Sequence, residues 1–109
     1  MVIVLRLYDD GDVLELEDPD DFRRFHVRIE GDHEQPRIAG AFVSTGLGDF
    51  ESAERALVRV ARVRALAEGR AGTEWGRGFD GMLAYAASKG WYDAAAGRIQ
   101  AHCEMARSG

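Results

Sequence analysis

Cysteine is almost missing from this chain. Cys103 is the only one in 109 residues, so no disulfide can form within the chain. Lysine is as scarce: Lys89 stands alone beside thirteen arginines, which reads as a compositional bias rather than as a selected phosphate clamp. Positive charge as a whole runs short. A formal net charge of -5 argues against nucleic acid as a partner, because the protein's own field would repel phosphates. No run approaches the roughly 20 apolar residues that span a bilayer. The opening Met1-Val2-Ile3-Val4-Leu5-Arg6-Leu7-Tyr8 has neither the basic start nor the sustained apolar core of a secretory signal. A cytoplasmic setting without a membrane partner is the expectation.

What is present is ordinary for a globular protein: 46% hydrophobic and 30% charged residues. The length fits one domain over residues 1–109, able to bury about 65% of its unfolded surface without a staple. Charge is unevenly spread. Met1 to Glu34 holds 11 acidic and 4 basic residues, leaving a balance of +2 for the remainder.

Val2 to Tyr8 is apolar on nearly all sides and Asp12 to Glu17 alternates, with Asp9-Asp10-Gly11 between them. This predicts a β-hairpin turning on Asp-Gly, its first strand central in a sheet. Asp18-Pro19-Asp20-Asp21 has the chemistry of a helix start and predicts a short helix to about Arg24, with Phe22 and Phe25 facing the core. Phe25 to Glu30 reads as a third strand, broken at Gly31-Asp32. His33 to Arg37 reads as a loop, and Ile38 to Ser44 as a further strand.

Asp49 is placed to cap a long helix ending near Glu68. Its stripe would be Phe50, Ala53, Leu57, Val60 and Ala61, and its outward ridge Arg55, Arg59 and Arg62, with Glu51 paired to Arg55. After a linker over 69–72, Thr73 opens a helix whose buried face is Trp75, Phe79, Met82 and Ala86. Gly90 is its left-handed C′ residue and Trp91 folds back on the last turn. The segment from Asp93 onward reads as a capped helix, while the alternation of Ile99, Ala101, Cys103 and Met105 fits a strand almost as well. The expected fold class is therefore α+β: a small, mostly antiparallel sheet with an N-terminal β-hairpin, covered by two longer helices.

Four patterns bear on chemistry. Gly76-Arg77-Gly78-Phe79-Asp80-Gly81 matches the dinucleotide-binding glycine pattern, but no strand precedes it and no acidic residue follows at ribose distance. Close helix packing, or a helix that begins only near Gly78, accounts for it better. The run from Asp9 to Asp21 lacks the order of a calcium loop. His26, His33, His102 and Cys103 lack the spacing of a zinc site, so neither a metal nor a cofactor is expected, and Cys103 reads as a small core residue. If the end of the chain is a strand, the polar faces bearing His26 and His102 could meet as an acid–base pair. Trp75, Phe79, Tyr85 and Trp91 are the candidate lining of a small-molecule pocket.

Two functional expectations follow. The first is a non-enzymatic module for interaction with a protein partner or with itself as a homodimer, using the arginine ridge against the acidic face. The second is a small cofactor-free enzyme or ligand-binding protein, with the aromatic pocket and His26 or His102 as its acid–base group.

Overall fold

Apolar alternation around Asp9-Asp10 produces the hairpin, in a computed structural model that describes residues 1–31, 34–69 and 72–106. Strand β1 (Val2–Tyr8) pairs antiparallel with β2 (Gly11–Glu17), with Tyr8 opposite Gly11. Asp9 and Asp10 thus make the loop, one residue earlier than Asp10-Gly11 suggests. On its other side β1 pairs in parallel with β3 (His26–Gly31), which confirms its central position. The expected break at Asp32, the loop start at His33 and the middle of the 69–72 linker lie outside the described residues.

The short helix at Asp18 does not form. Asp18 takes a positive φ of 48° and its carbonyl accepts a turn bond from the Asp21 N–H, so residues 18–25 make an irregular loop. Long-range bonds hold that loop: the Trp75 indole N–H donates to the Pro19 carbonyl at 2.8 Å. The strand expected at Ile38 to Ser44 is instead helix α1 (Gln35–Ser44), with Pro36 in its first turn, where a missing N–H costs little. Its buried residues, Ile38, Ala41 and Phe42, follow helical rather than alternate spacing.

The long helix from Asp49 divides into three elements: β4 (Gly48–Phe50), β5 (Ala56–Arg59) and α2 (Val60–Ala67). Burial alternates through Ala56, Val58 and Val60, then steps to Val63 and Ala67, so the period changes from two to helical at Val60. Helix α3 (Trp75–Ser88) begins at Trp75 rather than near Gly78. Gly78 is there for packing: a Cβ would stand 2.3 Å from the Phe22 ring. Beyond it come β6 (Tyr92–Asp93), β7 (Arg98–Ala101) and β8 (Cys103–Ala106), so the final segment is strand and not helix.

The fold is α+β with an antiparallel N-terminal hairpin, but its strands divide between two four-stranded sheets. One runs β2-β1-β3-β8, with β3 and β8 parallel; the other runs β4-β5-β7-β6 and is antiparallel throughout. One buried cluster draws on both sheets and all three helices, with Phe42 and Phe79 its largest fully enclosed side chains. Among the described residues no helix is long and apolar enough to cross a membrane.

Candidate functional site

The end of α3 sets the position of Trp91. Gly90, at φ 78°, donates its N–H to the Ala87 carbonyl at 3.1 Å, and the Trp91 N–H reaches the Ala86 carbonyl at 2.9 Å, the paired bonds of a Schellman ending. The Trp91 carbonyl in turn accepts the Gln100 N–H at 2.8 Å. Main chain pinned on both sides leaves the indole projecting from the surface, 46% exposed. One turn back on α3, Tyr85 is 59% exposed and meets the indole edge-on, ring centroids 6.1 Å apart. Lys89 stands over the Tyr85 ring at 5.7 Å.

Three clefts meet at Trp91 and Gln100. The first, about 200 Å³, runs between the 18–25 loop and α3 and is walled by Phe22, Phe25, Met82, Tyr85 and Trp91, with Arg23 on its rim. The second, about 260 Å³, continues past Phe25 to Glu54 and His102. The third, about 270 Å³, lies over the outer face of β5 and β7, among Arg55, Leu57, Asp93 and Arg98. Together they form a trough whose one end is aromatic and whose other ends are polar.

The expected pocket is therefore divided. Trp75 and Phe79 stack on each other in the core at 4.7 Å, with Arg64 over the Phe79 ring, and line no part of this trough. Trp75 is tied down by its bond to Pro19. Only Tyr85 and Trp91 of the four reach the trough.

The arginine ridge is not one helix face, because its helix is replaced by a hairpin and a shorter helix, although Arg59 and Arg62 both come close to Gly46. Arg55 precedes β5, pairs with Glu51 across the hairpin turn at 3.5 Å and borders the third cleft. Arg59 ends the same strand, whereas Arg62 belongs to α2 and donates from Nε to the Thr45 carbonyl at 3.0 Å.

Strand β8 does bring the two histidines together. Its pairing with β3 sets the His26 and His102 rings nearly parallel, 5.3 Å between centroids, and His26 Nε2 lies 3.3 Å from a Glu104 carboxylate oxygen. Burial, then the neighbouring His102, hold the His26 imidazole below its ordinary value, against an upward pull from Glu104. His102 faces the second cleft and His26 lies behind it. His33 is outside the described residues. Cys103, on the core side of β8, is buried and its thiol is pushed up to about 12 by that burial, which leaves it protonated and unreactive.

Part of the acidic N-terminal set is engaged. Asp12 pairs with Arg37 at 2.5 Å, and this hydrogen-bonded guanidinium holds its carboxyl below the usual range. Glu15, Glu17 and Glu30 surround Arg6 and Arg28 on the outer face of β2-β1-β3. Among the described residues no three His, Cys, Asp or Glu side chains converge as a metal centre.

Sequence reasoning passed over Arg23 and Met82 as a surface group, whereas Gln100 and Glu104 were expected beside His102 on the polar face of a terminal strand. The Phe22-Arg23-Arg24-Phe25 segment carried a usable signal, two aromatics flanking cations in a loop, which the helix assignment turned inward. Comparison of the chain with models of known protein families, with curated proteins and with solved structures finds no match.

Proposed function

We propose that the protein is a non-enzymatic interaction module that docks a protein partner on the trough centred on Trp91. The observation that carries this reading is an exposed indole whose main chain is fixed from both sides, with Tyr85 against it and clefts around it. Tryptophan, tyrosine and arginine are enriched at interface hot spots; the two aromatics offer large amphipathic area at a low entropy cost, and the guanidinium offers a planar set of donors. Trp91, Tyr85 and Arg23 provide that set, and the preformed clefts give the partner's side chains somewhere to enter. A reducing cytoplasm suits the buried free thiol of Cys103.

The test is recovery of bound proteins from the native source by the wild type, Trp91→Ser and Glu15→Gln. Loss of the same bound species in Trp91→Ser, with retention in Glu15→Gln, supports the trough as the docking face. Should the species be a second copy of this chain, sedimentation of the two variants distinguishes dimer from monomer. Equal recovery by both variants sinks the proposal.

One observation favours a second reading, a small-molecule enzyme: His102 borders a cleft with His26 and Glu104 in line behind it. Among the described residues, no hydrogen bond joins the two rings, so a proton relay from Glu104 to the cleft is incomplete as it stands. Saturable quenching of tryptophan fluorescence by a metabolite, with pH-dependent turnover that disappears in His26→Gln, would transfer the protein to this class.

A further inference from the structure

We propose that the aromatic end of the trough captures the C-terminal carboxylate of a partner polypeptide whose last side chain is large and apolar. The proposal rests on the reading of the Trp91 face as a docking surface and specifies what docks there.

Three features of the first cleft carry it. Its walls are Phe22, Phe25, Met82, Tyr85 and Trp91, and its volume of about 200 Å³ suits one large side chain. Its charge runs against the rest of the molecule: in a chain with 19 acidic residues and a net charge of -5, no carboxylate lines it. One cation lines it, the exposed Arg23, and a second, Lys89, stands 5.7 Å from the ring of its wall residue Tyr85.

Those cations differ from most others on the surface. Arg6 and Arg28 each contact two or more carboxylates, and Arg37, Arg55, Arg64, Arg77 and Arg98 each hold one. Among the described residues neither Arg23 nor Lys89 forms an ion pair, so both remain available to an incoming anion. A guanidinium matches a carboxylate in a two-bond fork, and an apolar body seated among the aromatic rings would place that carboxylate at the rim.

The rest of the trough argues for a chain end over a free acid. Beyond the aromatic end, the cleft continues through Trp91 and Gln100 to Glu54 and His102. A small acid would leave that polar length empty, whereas the residues before a C-terminus would lie along it. Gln100 lines each cleft, and a side-chain amide can both donate to and accept from a passing peptide group.

The experiment is titration of the intact protein with a six-residue peptide ending in leucine-phenylalanine, as free acid and as C-terminal amide, and with 3-phenylpropionate. Heat of binding and the Trp91 indole N–H resonance are the readouts. The free acid should bind about tenfold or more tightly than the amide. The double variant Arg23→Gln, Lys89→Gln should close that gap while leaving amide binding where it was. Equal binding of acid and amide by the wild type would overturn the carboxylate assignment and leave the docking face standing. Phenylpropionate as tight as the peptide would overturn the chain-end source in favour of a free acid. Absence of peptide binding at millimolar concentration would overturn the inference too. The docking proposal itself falls only if Trp91→Ser keeps the native partner.

Discussion

The outer face of the β2-β1-β3-β8 sheet and the trough at Trp91 are both open surfaces that combine charge with apolar groups, and they are built in opposite ways. On the sheet, Glu30 bridges Arg6 at 3.0 Å and Arg28 at 2.9 Å, Arg28 reaches on to Glu17, and Arg6 to Glu15. Val4, flanked in register by Glu15 and Arg28, is fully buried on that side, so the long side chains close over it. Every charge in that lattice has its complement in the same molecule. At the aromatic end of the trough Tyr85 and Trp91 are exposed, and among the described residues Arg23 there forms no ion pair. A surface whose capacities are used internally contributes to the fold; one whose capacities are left over is equipped to bind.

The sharpest way to separate the two kinds of aromatic residue is to remove one of each. Phe79→Ala should cost about 3–5 kcal/mol, since it opens a cavity beside Trp75 and Arg64 in a fully enclosed site. Trp91→Ser should cost about 1–2 kcal/mol, because nearly half of the indole is already in water. Urea midpoints check the stability order, and titration with the free-acid peptide should show binding lost in Trp91→Ser. A Trp91→Ser penalty as large as that of Phe79→Ala would make Trp91 a structural residue and dissolve the contrast.

The charged lattice should respond more weakly. Glu30→Gln leaves Arg28 and Arg6 each with other carboxylates, in side chains still partly in solvent. The expected loss is about 0.5–1 kcal/mol, diminishing at high salt. Peptide binding at the trough should be unchanged. A change in peptide affinity would show that the two surfaces communicate, which their separate positions do not predict.

The parts legible in the sequence were those decided locally. Asp9-Asp10-Gly11 announced the hairpin, the alternation of Val27 and Ile29 announced β3, and Gly90-Trp91 announced how α3 ends. The parts that misled were decided by neighbours far along the chain. From Phe50 to Ala61 the apolar residues also fit a helical stripe, and pairing of Val58 with Gly48 on one side and with distant Ile99 on the other fixes it as strand. Strand β8 has few β-branched residues; what makes it a strand is β3 beside it, Cys103 opposite Val27. The histidine pair was legible as a conditional, dependent on that strand. The trough was only half legible, because Tyr85 and Trp91 could be named from helix spacing, while Phe22, Arg23 and Phe25 reach it from a loop that reads as a helix.

The histidine pair offers the smallest effect and the one that joins both surfaces, since His26 borders the charged lattice through Arg28 and the trough through His102. Burial comes first among the influences on His26, then His102; Glu104 opposes them, and the Met1 amino group and Arg28 add to the lowering. The folded-state value therefore lies below the unfolded value of about 6.5. The unfolded chain binds the proton more readily, so stability is fully present above that value and is lost as pH falls from it through the lower folded value. Glu30 and Asp12, lowered chiefly by hydrogen-bonded Arg28 and Arg37, lose their contributions further down, as pH falls from the ordinary carboxylate range through their lower folded values. Two separated acid steps are thus expected in urea midpoints between pH 7.5 and pH 3. His26→Gln should erase the upper step and leave the lower one. Survival of the upper step in that variant would assign it to another group and show that the ring pair contributes nothing to the junction of β3 with β8.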